Sequence, residues 1–128
     1  MYAVKLFRED NAAWTWEAVK REAGKMAKLD HQHIIRYHTS FAIDDPDFCC
    51  GLVLELCTGG TLADRIRDGN EEHTAIVMRR LTQLAQALNY LHNVARVVHL
   101  DVKSNNVLIT SNDKIKLTDV GLAQVRQA

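Results

Sequence analysis

The apolar residues between Glu72 and Asn93 constrain the fold of this chain more than any other feature of its sequence. They recur at the 3.6-residue spacing of a helix, at Val77, Leu81, Leu84, Leu88 and Leu91. The spacing predicts one long amphipathic helix over residues 72–93, with Arg79 and Arg80 on its solvated face. Such a helix needs a partner surface. Where none covers it, we expect an exposed apolar patch and a chain that tends to aggregate or to lose fixed packing.

Shorter segments on both sides of this helix predict a mixture of strands and helices. Residues 2–7 alternate in the manner of a strand, with the odd-numbered side chains on one face. Further strands are predicted at 34–43, 50–56, 107–110 and 114–117, and further helices at 16–29 and 61–67. Strands come first and helices mostly later, which is typical of an α+β fold with two lobes. Gly59-Gly60 predicts the division, with a smaller lobe at 1–58 and a mainly helical one at 59–128.

The balance of positive and negative residues argues against two classes of binding partner. Lys and Arg number 16 against 16 Asp and Glu, so nothing indicates binding to nucleic acid or to an anionic membrane surface. No apolar run approaches the roughly 20 residues that span a bilayer. Cys49, Cys50 and Cys57 lack CxxC spacing and are predicted to be reduced. Together these features predict a soluble intracellular protein of the cytoplasm or nucleus, and they leave its oligomeric state open.

Four polar residues near the C-terminal end carry the chemistry. Asp101, Lys103, Asn106 and Asp119 are two carboxylates, an ammonium group and an amide, placed in loops beside short apolar strands. This set suits phosphoryl transfer, because one carboxylate can position a hydroxyl nucleophile and the ammonium can offset phosphate charge. The amide and the second carboxylate supply the oxygen ligands that Mg²⁺ prefers. For any one of these residues alone, a solvated polar loop is the simpler interpretation.

Five segments, in order along the chain, resemble motifs of the eukaryotic protein kinase family. The segments are 3–5, 31–34, 54–60, 99–106 and 119–121, which are similar to the V-A-I-K strand, the H-P-N-I stretch, the hinge, the H-R-D-L-x-x-x-N catalytic loop and D-F-G. Leu100 stands where the family has Arg, and Val120 where it has Phe. The resemblance covers nearly the whole chain and implies a kinase-like two-lobe fold. Neither a G-x-G-x-x-G before Lys5 nor an A-P-E block is present, so we expect a partial kinase domain, either a fragment or a natural truncation.

The resemblance implies a role for each residue of the polar set. Asp101 would be the catalytic base, and Lys103 would contact the γ-phosphate of ATP. Asn106 and Asp119 would bind Mg²⁺. ATP and Mg²⁺ are therefore the expected cofactors. Leu100 would remove the arginine that pairs with activation-loop phosphate in the family, so that charge-pairing switch is not expected here.

An ion pair is expected between Lys5 and Glu22. Lys5 shares the inward face of its strand, and Glu22 lies among apolar residues on the inward face of its helix. Each charge is costly to bury alone, and pairing them removes both costs. In the family this pair holds the α- and β-phosphates of ATP.

The adenine of ATP is expected at the segment that joins the two lobes. The backbone of Glu55 and Cys57 would hydrogen-bond it, with Ala3 above the ring, Leu108 below it and Leu54 as the gatekeeper residue. A second apolar set, expected to align the lobes, consists of Met26, Tyr37, His99 and Val120.

Two hypotheses about function follow. The first is an ATP- and Mg²⁺-dependent serine/threonine protein kinase, because Lys103 two residues after the base is similar to the serine/threonine branch and the polar catalytic set is complete. Its partner would be a protein with a Ser or Thr acceptor, and the hinge and loop look nearest to the NIMA-related group. The alternative is a catalytically inactive, pseudokinase-like module that binds nucleotide or protein.

Overall fold

The computed structural model describes residues 1–10, 14–69, 72–97 and 102–118. Its strands are β1 (Tyr2–Arg8), β2 (Tyr37–Ala42), β3 (Phe48–Glu55), β4 (Val107–Ile109) and β5 (Ile115–Leu117). Its α-helices are α1 (Trp16–Met26), α2 (Leu62–Arg67) and α3 (Thr74–Asn93), and a 3₁₀ turn spans Ser104–Asn106. The predicted α+β order is confirmed: strands with one helix come first, and helices with a short hairpin follow.

Strands β1, β3 and β2 form an antiparallel sheet in that order, with β3 in the centre. The apolar sequence of β3 explains this position, because Cys50, Leu52 and Leu54 are buried in its interior. β1 alternates as predicted, with its odd-numbered residues sheltered and its even-numbered residues exposed. Since β1 has β3 on one side only, it is an edge strand of the described sheet.

Helix α1 packs on the inner face of this sheet. Thr15 caps it, since its Oγ1 accepts a hydrogen bond from Ala18 N at 3.2 Å. The helix ends at Met26 and does not reach Leu29 as predicted, because Leu29 packs on a second core instead. Buried side chains of the sheet, of α1 and of the segments beside α1 form what we call the sheet core, which consists of Phe7, Trp14, Val19, Ala23, Met26, Ile35, Cys50, Leu52 and Leu54.

Helix α3 confirms the long helix predicted from apolar periodicity. Its C-terminal half contributes to a second cluster, the hairpin core, which consists of Ile34, Ala87, Leu91, Val107, Ile115 and Leu117. In its N-terminal half, Val77, Met78 and Leu81 are 41%, 56% and 54% exposed. The expected exposed apolar patch on this helix is therefore present. Within the described residues no helix is both long enough and apolar enough to cross a membrane.

The outer edge of β5 pairs with the segment that follows α1. Ile35 N donates to Leu117 O at 3.0 Å, and Leu117 N donates to His33 O at 2.8 Å. The strand predicted at 34–43 is therefore wrong at its start. Because Ile34 and Ile35 bond to β5, β2 begins only at Tyr37.

The outer edge of β4 pairs with Gly59 and Gly60, where the sequence predicted a division. Gly59 N donates to Ile109 O at 2.8 Å, and Ile109 N donates to Gly60 O at 2.9 Å. A Cβ at residue 59 would lie 2.5 Å from Ile109 O, so only glycine permits this close approach. Gly60 has φ +76, in the left-handed region that favours glycine. The hairpin is thus bonded along both of its edges.

Arg80 corrects the prediction that it is solvated, because its side chain is only 6% exposed. Its Nη1 donates to Glu72 Oε1 at 3.2 Å, and its Nη2 donates to Asp113 Oδ1 at 2.9 Å. Arg79 reaches the same Asp113 from the surface. Hydrogen bonding from Arg80, with the charges of both arginines, lowers the pKa of Asp113. The helical periodicity missed this network because Asp113 lies in the β4–β5 turn, far along the chain.

Candidate functional site

Three residues expected to enclose an adenine ring lie in the sheet core or beside it. Ala3 of β1 is the cross-strand partner of Leu54 in β3, so their side chains are neighbours on one face of the sheet. Leu108 of β4 packs against the sheet core from the hairpin side. Ala3 and Leu108 are half-buried, and Leu54 is buried. Apolar side chains that remain partly open in this way suit contact with a flat apolar ring.

Glu55 ends β3 and is held by its neighbours. Its carboxylate accepts hydrogen bonds from Lys116 Nζ at 3.0 Å and from Arg36 N at 3.1 Å. Its own N–H donates to Arg36 O at 2.9 Å. The backbone N–H of Glu55 is therefore already used by Arg36, and the backbone C=O of Glu55 is the group that could meet adenine. The ion pair with Lys116 fixes this segment to the hairpin.

Cys57 is half-buried and packs against the sheet core. No backbone hydrogen bond joins its N–H or C=O to another described residue. Burial, followed by the nearby Glu55 charge, raises the pKa of the Cys57 thiol. A raised pKa disfavours the thiolate, which is the nucleophilic form of the side chain.

Lys5 and Glu22 lie where the sequence placed them, but they do not form the predicted ion pair. Glu22 is 3% exposed, and its Oε1 contacts Lys25 Nζ at 3.2 Å. Its Oε2 has no hydrogen-bond partner among the described residues. Lys5 is sheltered on β1, with its Nζ 5.8 Å from the centre of the Phe7 ring. The expectation that a buried Glu22 needs a cation is correct; Lys25 supplies it from the next turn of the same helix.

Asn106 lies at the end of the 3₁₀ turn and is buried, at 6% exposed. Its N–H donates to Lys103 O at 2.9 Å, which closes the loop that carries both residues. Its carbonyl accepts from Thr118 N at 2.9 Å. Thr118 follows β5 and directly precedes Asp119 in the sequence. The main chain therefore ties the Asn106 loop to the residue before the second predicted metal ligand.

Several predicted site residues lie outside the described residues. They are Asp101, Asp119, His99, Leu100 and Val120. Of the apolar set expected to align the lobes, Met26 belongs to the sheet core and Tyr37 packs against it. The assignments of Asp101 and Asp119 stay predictions, as does the division of the chain at residues 58 and 59.

Sequence reasoning missed Lys116 and Arg36, the two residues that hold Glu55. Lys116 stands between two buried apolar residues of a short strand, which is a signal that its charge has a partner. Arg36 gives no such signal, because it acts through its main chain.

A cavity of about 220 Å³ lies away from this region, between α2, α3 and the hairpin. It is lined mainly by apolar side chains, among them Leu62, Ile66, Val77, Leu81 and Leu84. Among the described residues, none that is predicted for the site lines this cavity. It continues the exposed apolar patch of α3, and it is distinct from the candidate nucleotide site.

Comparison with known proteins identifies the family. The family model of the protein kinase domain matches residues 1–128. The human serine/threonine-protein kinase Nek10 is 36% identical over 104 residues, which are 78% of this chain and 9% of that protein. The probable serine/threonine-protein kinase nek2 of Dictyostelium discoideum is 34% identical over 110 residues, 81% of this chain and 26% of that protein. The serine/threonine-protein kinase KIC1 of Saccharomyces cerevisiae is 35% identical over 131 residues, 99% of this chain and 12% of that protein.

This chain thus spans between about a tenth and a quarter of the length of these relatives. The kinase-like α+β fold implied by the five sequence motifs is confirmed. The match covers the sheet, the helices and the hairpin that position the site residues, and the chain belongs to the protein kinase family.

Proposed function

We propose that the protein containing this chain transfers the γ-phosphoryl group of Mg-ATP to serine or threonine hydroxyls of a protein substrate. The observation that carries the proposal is the hydrogen bond between Thr118 N and Asn106 O at 2.9 Å. It links the catalytic-loop motif to the start of the D-x-G motif within a chain of the kinase family. The relatives named above are serine/threonine-protein kinases, which favours an enzyme over an inactive binding module.

The nucleotide base would bind between Ala3 and Leu108. Leu54 would close the inner end of this space, since it is the cross-strand neighbour of Ala3. The carbonyl of Glu55 and the main chain of Cys57 would meet the polar edge of the base. This assignment is supported by the engaged N–H of Glu55 and by the absence of a described main-chain partner for Cys57. Lys5 would contact the phosphates, and the role of Glu22 in this site stays a prediction.

The reacting phosphoryl group would lie beside the Asn106 loop. Asp101 would accept the proton of the attacking hydroxyl, and Lys103 would offset charge on the γ-phosphate. Buried Asn106 has the amide oxygen that suits a hard cation, and with Asp119 it would hold Mg²⁺. When bound, the ion would neutralise charge on the phosphate oxygens during transfer. We further propose that the protein works in the cytoplasm or nucleus, on a protein substrate and without a nucleic-acid or membrane partner.

The test is phosphotransfer from radiolabelled ATP by the full-length protein. Asp101→Asn should lower the rate at least about 100-fold, because it removes a general base. ATP affinity should stay nearly unchanged, because Asp101 is not assigned a nucleotide contact. Asp44→Asn, an exposed carboxylate in the loop between β2 and β3, is the matched control and should keep full activity. Phosphotransfer by Asp101→Asn at the unaltered rate would show that Asp101 is not the base.

A nucleotide titration of the 128-residue chain measures binding of ATP separately from phosphotransfer. We expect weak binding of Mg-ATP by these 128 residues, since they include the hinge and Lys5 but residues 1–4 contain no glycine. Calorimetric affinity below one micromolar would show that the segment before Lys5 contributes less than the resemblance implies.

A further inference from the structure

The thiols of Cys49 and Cys50 lie side by side, although consecutive residues of a strand normally point to opposite faces. Their Sγ atoms are 3.4 Å apart. The cause is a β-bulge in β3: Phe7 pairs with Cys50 and Arg8 pairs with Phe48, which leaves Cys49 without a partner on β1. The irregular backbone brings both sulfurs to the same side.

The hydrogen bonds of the pair fit two intact thiols. Cys49 Sγ donates to Trp14 O at 3.3 Å, and its sulfur can then accept the proton of Cys50. Burial, reinforced by this contact with Cys49, raises the pKa of Cys50 to about 12. Both cysteines are free, and Cys49 is only half-buried. A reagent can therefore reach Cys49 first and then meet Cys50 as its neighbour.

The sulfur separation is short enough for one centre to bind both thiols. With bonds of about 2.3 Å, the length of a zinc–thiolate bond, a tetrahedral centre would hold two sulfurs roughly 3.8 Å apart. A pyramidal centre with nearly right-angled bonds of similar length would hold them roughly 3.3 Å apart. The observed 3.4 Å is closer to the pyramidal value. Zinc would also need further protein ligands, and the described residues contain no group of three or more His, Cys, Asp or Glu placed to hold a metal.

We propose that Cys49 and Cys50 form a two-thiol binding site for trivalent organic arsenicals. Such a reagent keeps its carbon substituent and needs only two sulfur ligands. With an arsenoxide, both S–H bonds and the arsenic–oxygen bond are lost, two arsenic–sulfur bonds form, and one water is released. Arsenic stays trivalent, so no oxidant or reductant takes part. Formation of the adduct removes the Cys49 proton and with it the hydrogen bond to Trp14.

The test uses phenylarsine oxide and intact mass spectrometry of the purified 128-residue chain. We expect one adduct, with the mass of the reagent less one water, that survives excess monothiol and is released by a dithiol. Cys49→Ser is the main variant, because Cys49 is half-buried and its replacement disturbs the core less than that of fully buried Cys50. It should lose the monothiol-resistant adduct. Cys57→Ser, the matched control at the third cysteine, should keep it.

Two results would overturn the proposal. One is a monothiol-resistant adduct that persists in Cys49→Ser or disappears in Cys57→Ser. The other concerns the folded arrangement, because adjacent cysteines could also chelate arsenic in an unfolded chain. We expect the folded chain to bind at least ten times more tightly than the same chain in concentrated urea. Equal affinity for phenylarsine oxide in the folded and the unfolded chain would show that the bulge contributes nothing to arsenic binding.

Discussion

The sheet core and the hairpin core bury their apolar residues to different extents. In the sheet core, the inward faces of β1, β3 and α1 meet one another, and each of its residues is at most 7% exposed. In the hairpin core, α3 buries Ala87 and Leu91 but leaves Val77, Met78 and Leu81 largely exposed. The apolar residues of α3 are spaced as regularly as those of the elements that form the sheet core. Regular spacing therefore shows which residues favour burial, and a partner surface decides which of them are buried.

The largest effect expected from this difference concerns two leucines. Leu52 of the sheet core is fully buried, whereas Leu81 of α3 is 54% exposed. Leu52→Ala should lower the free energy of unfolding by about 2–5 kcal/mol, through lost burial and the cavity that remains. Leu81→Ala should change it by less than about 0.5 kcal/mol. Urea unfolding followed by fluorescence of buried Trp14 measures both. A comparable loss for the two variants would mean that Leu81 is covered in solution.

The exposed face of α3 should also bind a dye that reports apolar surface. Leu81→Glu should reduce both the dye signal and aggregation of the chain. A cooperative, monomeric thermal transition without dye binding in the unaltered chain would contradict the expectation that this face destabilises it.

The next effect compares the two arginines beside the hairpin core. Arg80 is 6% exposed and has two carboxylate partners, while Arg79 is 47% exposed. Arg80→Met should lower the free energy of unfolding by about 1–3 kcal/mol, because Glu72 and Asp113 lose a buried hydrogen-bond donor. Arg79→Met should cost less than about 1 kcal/mol, since exposed ion pairs contribute little. Equal costs, measured by urea unfolding, would show that burial does not strengthen the Arg80 contacts.

The same network predicts a pH dependence. The folded-state pKa of Asp113 is lowered, first by the hydrogen bond from Arg80. In the unfolded chain the pKa of an aspartate is about 4, and above that pH the ionised Asp113 contributes its full stabilisation. This stabilisation is lost as the pH falls through the lower pKa that Asp113 has in the folded chain. Arg80→Met should weaken this loss of stability in acid. Asp113→Asn should weaken it too, and asparagine tolerates the φ of 57° found there. Urea unfolding curves at several acidic pH values measure how steeply the free energy of unfolding falls with pH.

The smallest expected effect compares two helix caps. Thr61 and Asp64 form a reciprocal capping box on α2, with N···O distances of 2.9 and 3.0 Å. Thr15 caps α1 with one bond at 3.2 Å. Each Thr→Ala change should cost about 1 kcal/mol locally. No residue of α2 is buried, so Thr61→Ala should speed amide exchange in α2 alone, whereas Thr15→Ala should also lower global stability. Global destabilisation by Thr61→Ala would show that α2 folds as one unit with a core.

The sequence predicted those parts of the fold that depend on local patterns. Helix α3 and the alternation of β1 followed from the spacing of the apolar residues. The cation beside Glu22 was expected, but Lys25 could not be preferred to Lys5 without the orientation of α1 on the sheet. Arg80 was misplaced because its partner Asp113 lies in a distant turn. The shared side of Cys49 and Cys50 depends on a bulge that no local pattern indicates.

For the candidate site, the motifs placed Ala3, Leu54 and Leu108 around an adenine ring, and this role stays a prediction. In the structure Ala3 and Leu54 are cross-strand neighbours, and Leu108 packs against the sheet core. The contacts that hold Glu55 were not foreseen, because they come from Lys116 and from the main chain of Arg36. Motifs identify the residues that meet a ligand, whereas the residues that support them depend on the folded arrangement.

The hairpin has a mechanical consequence. Its outer edges are bonded to residues 33–35 on one side and to Gly59 and Gly60 on the other, so four stretches of main chain form one ladder. With strands about 4.8 Å apart, the ladder is roughly 14 Å wide. Sliding residues 33–35 past Gly59 and Gly60 along the strand direction would break hydrogen bonds in at least one of its three rows. The paired amides of the ladder therefore resist this sliding movement together, as a short stack of parallel springs would.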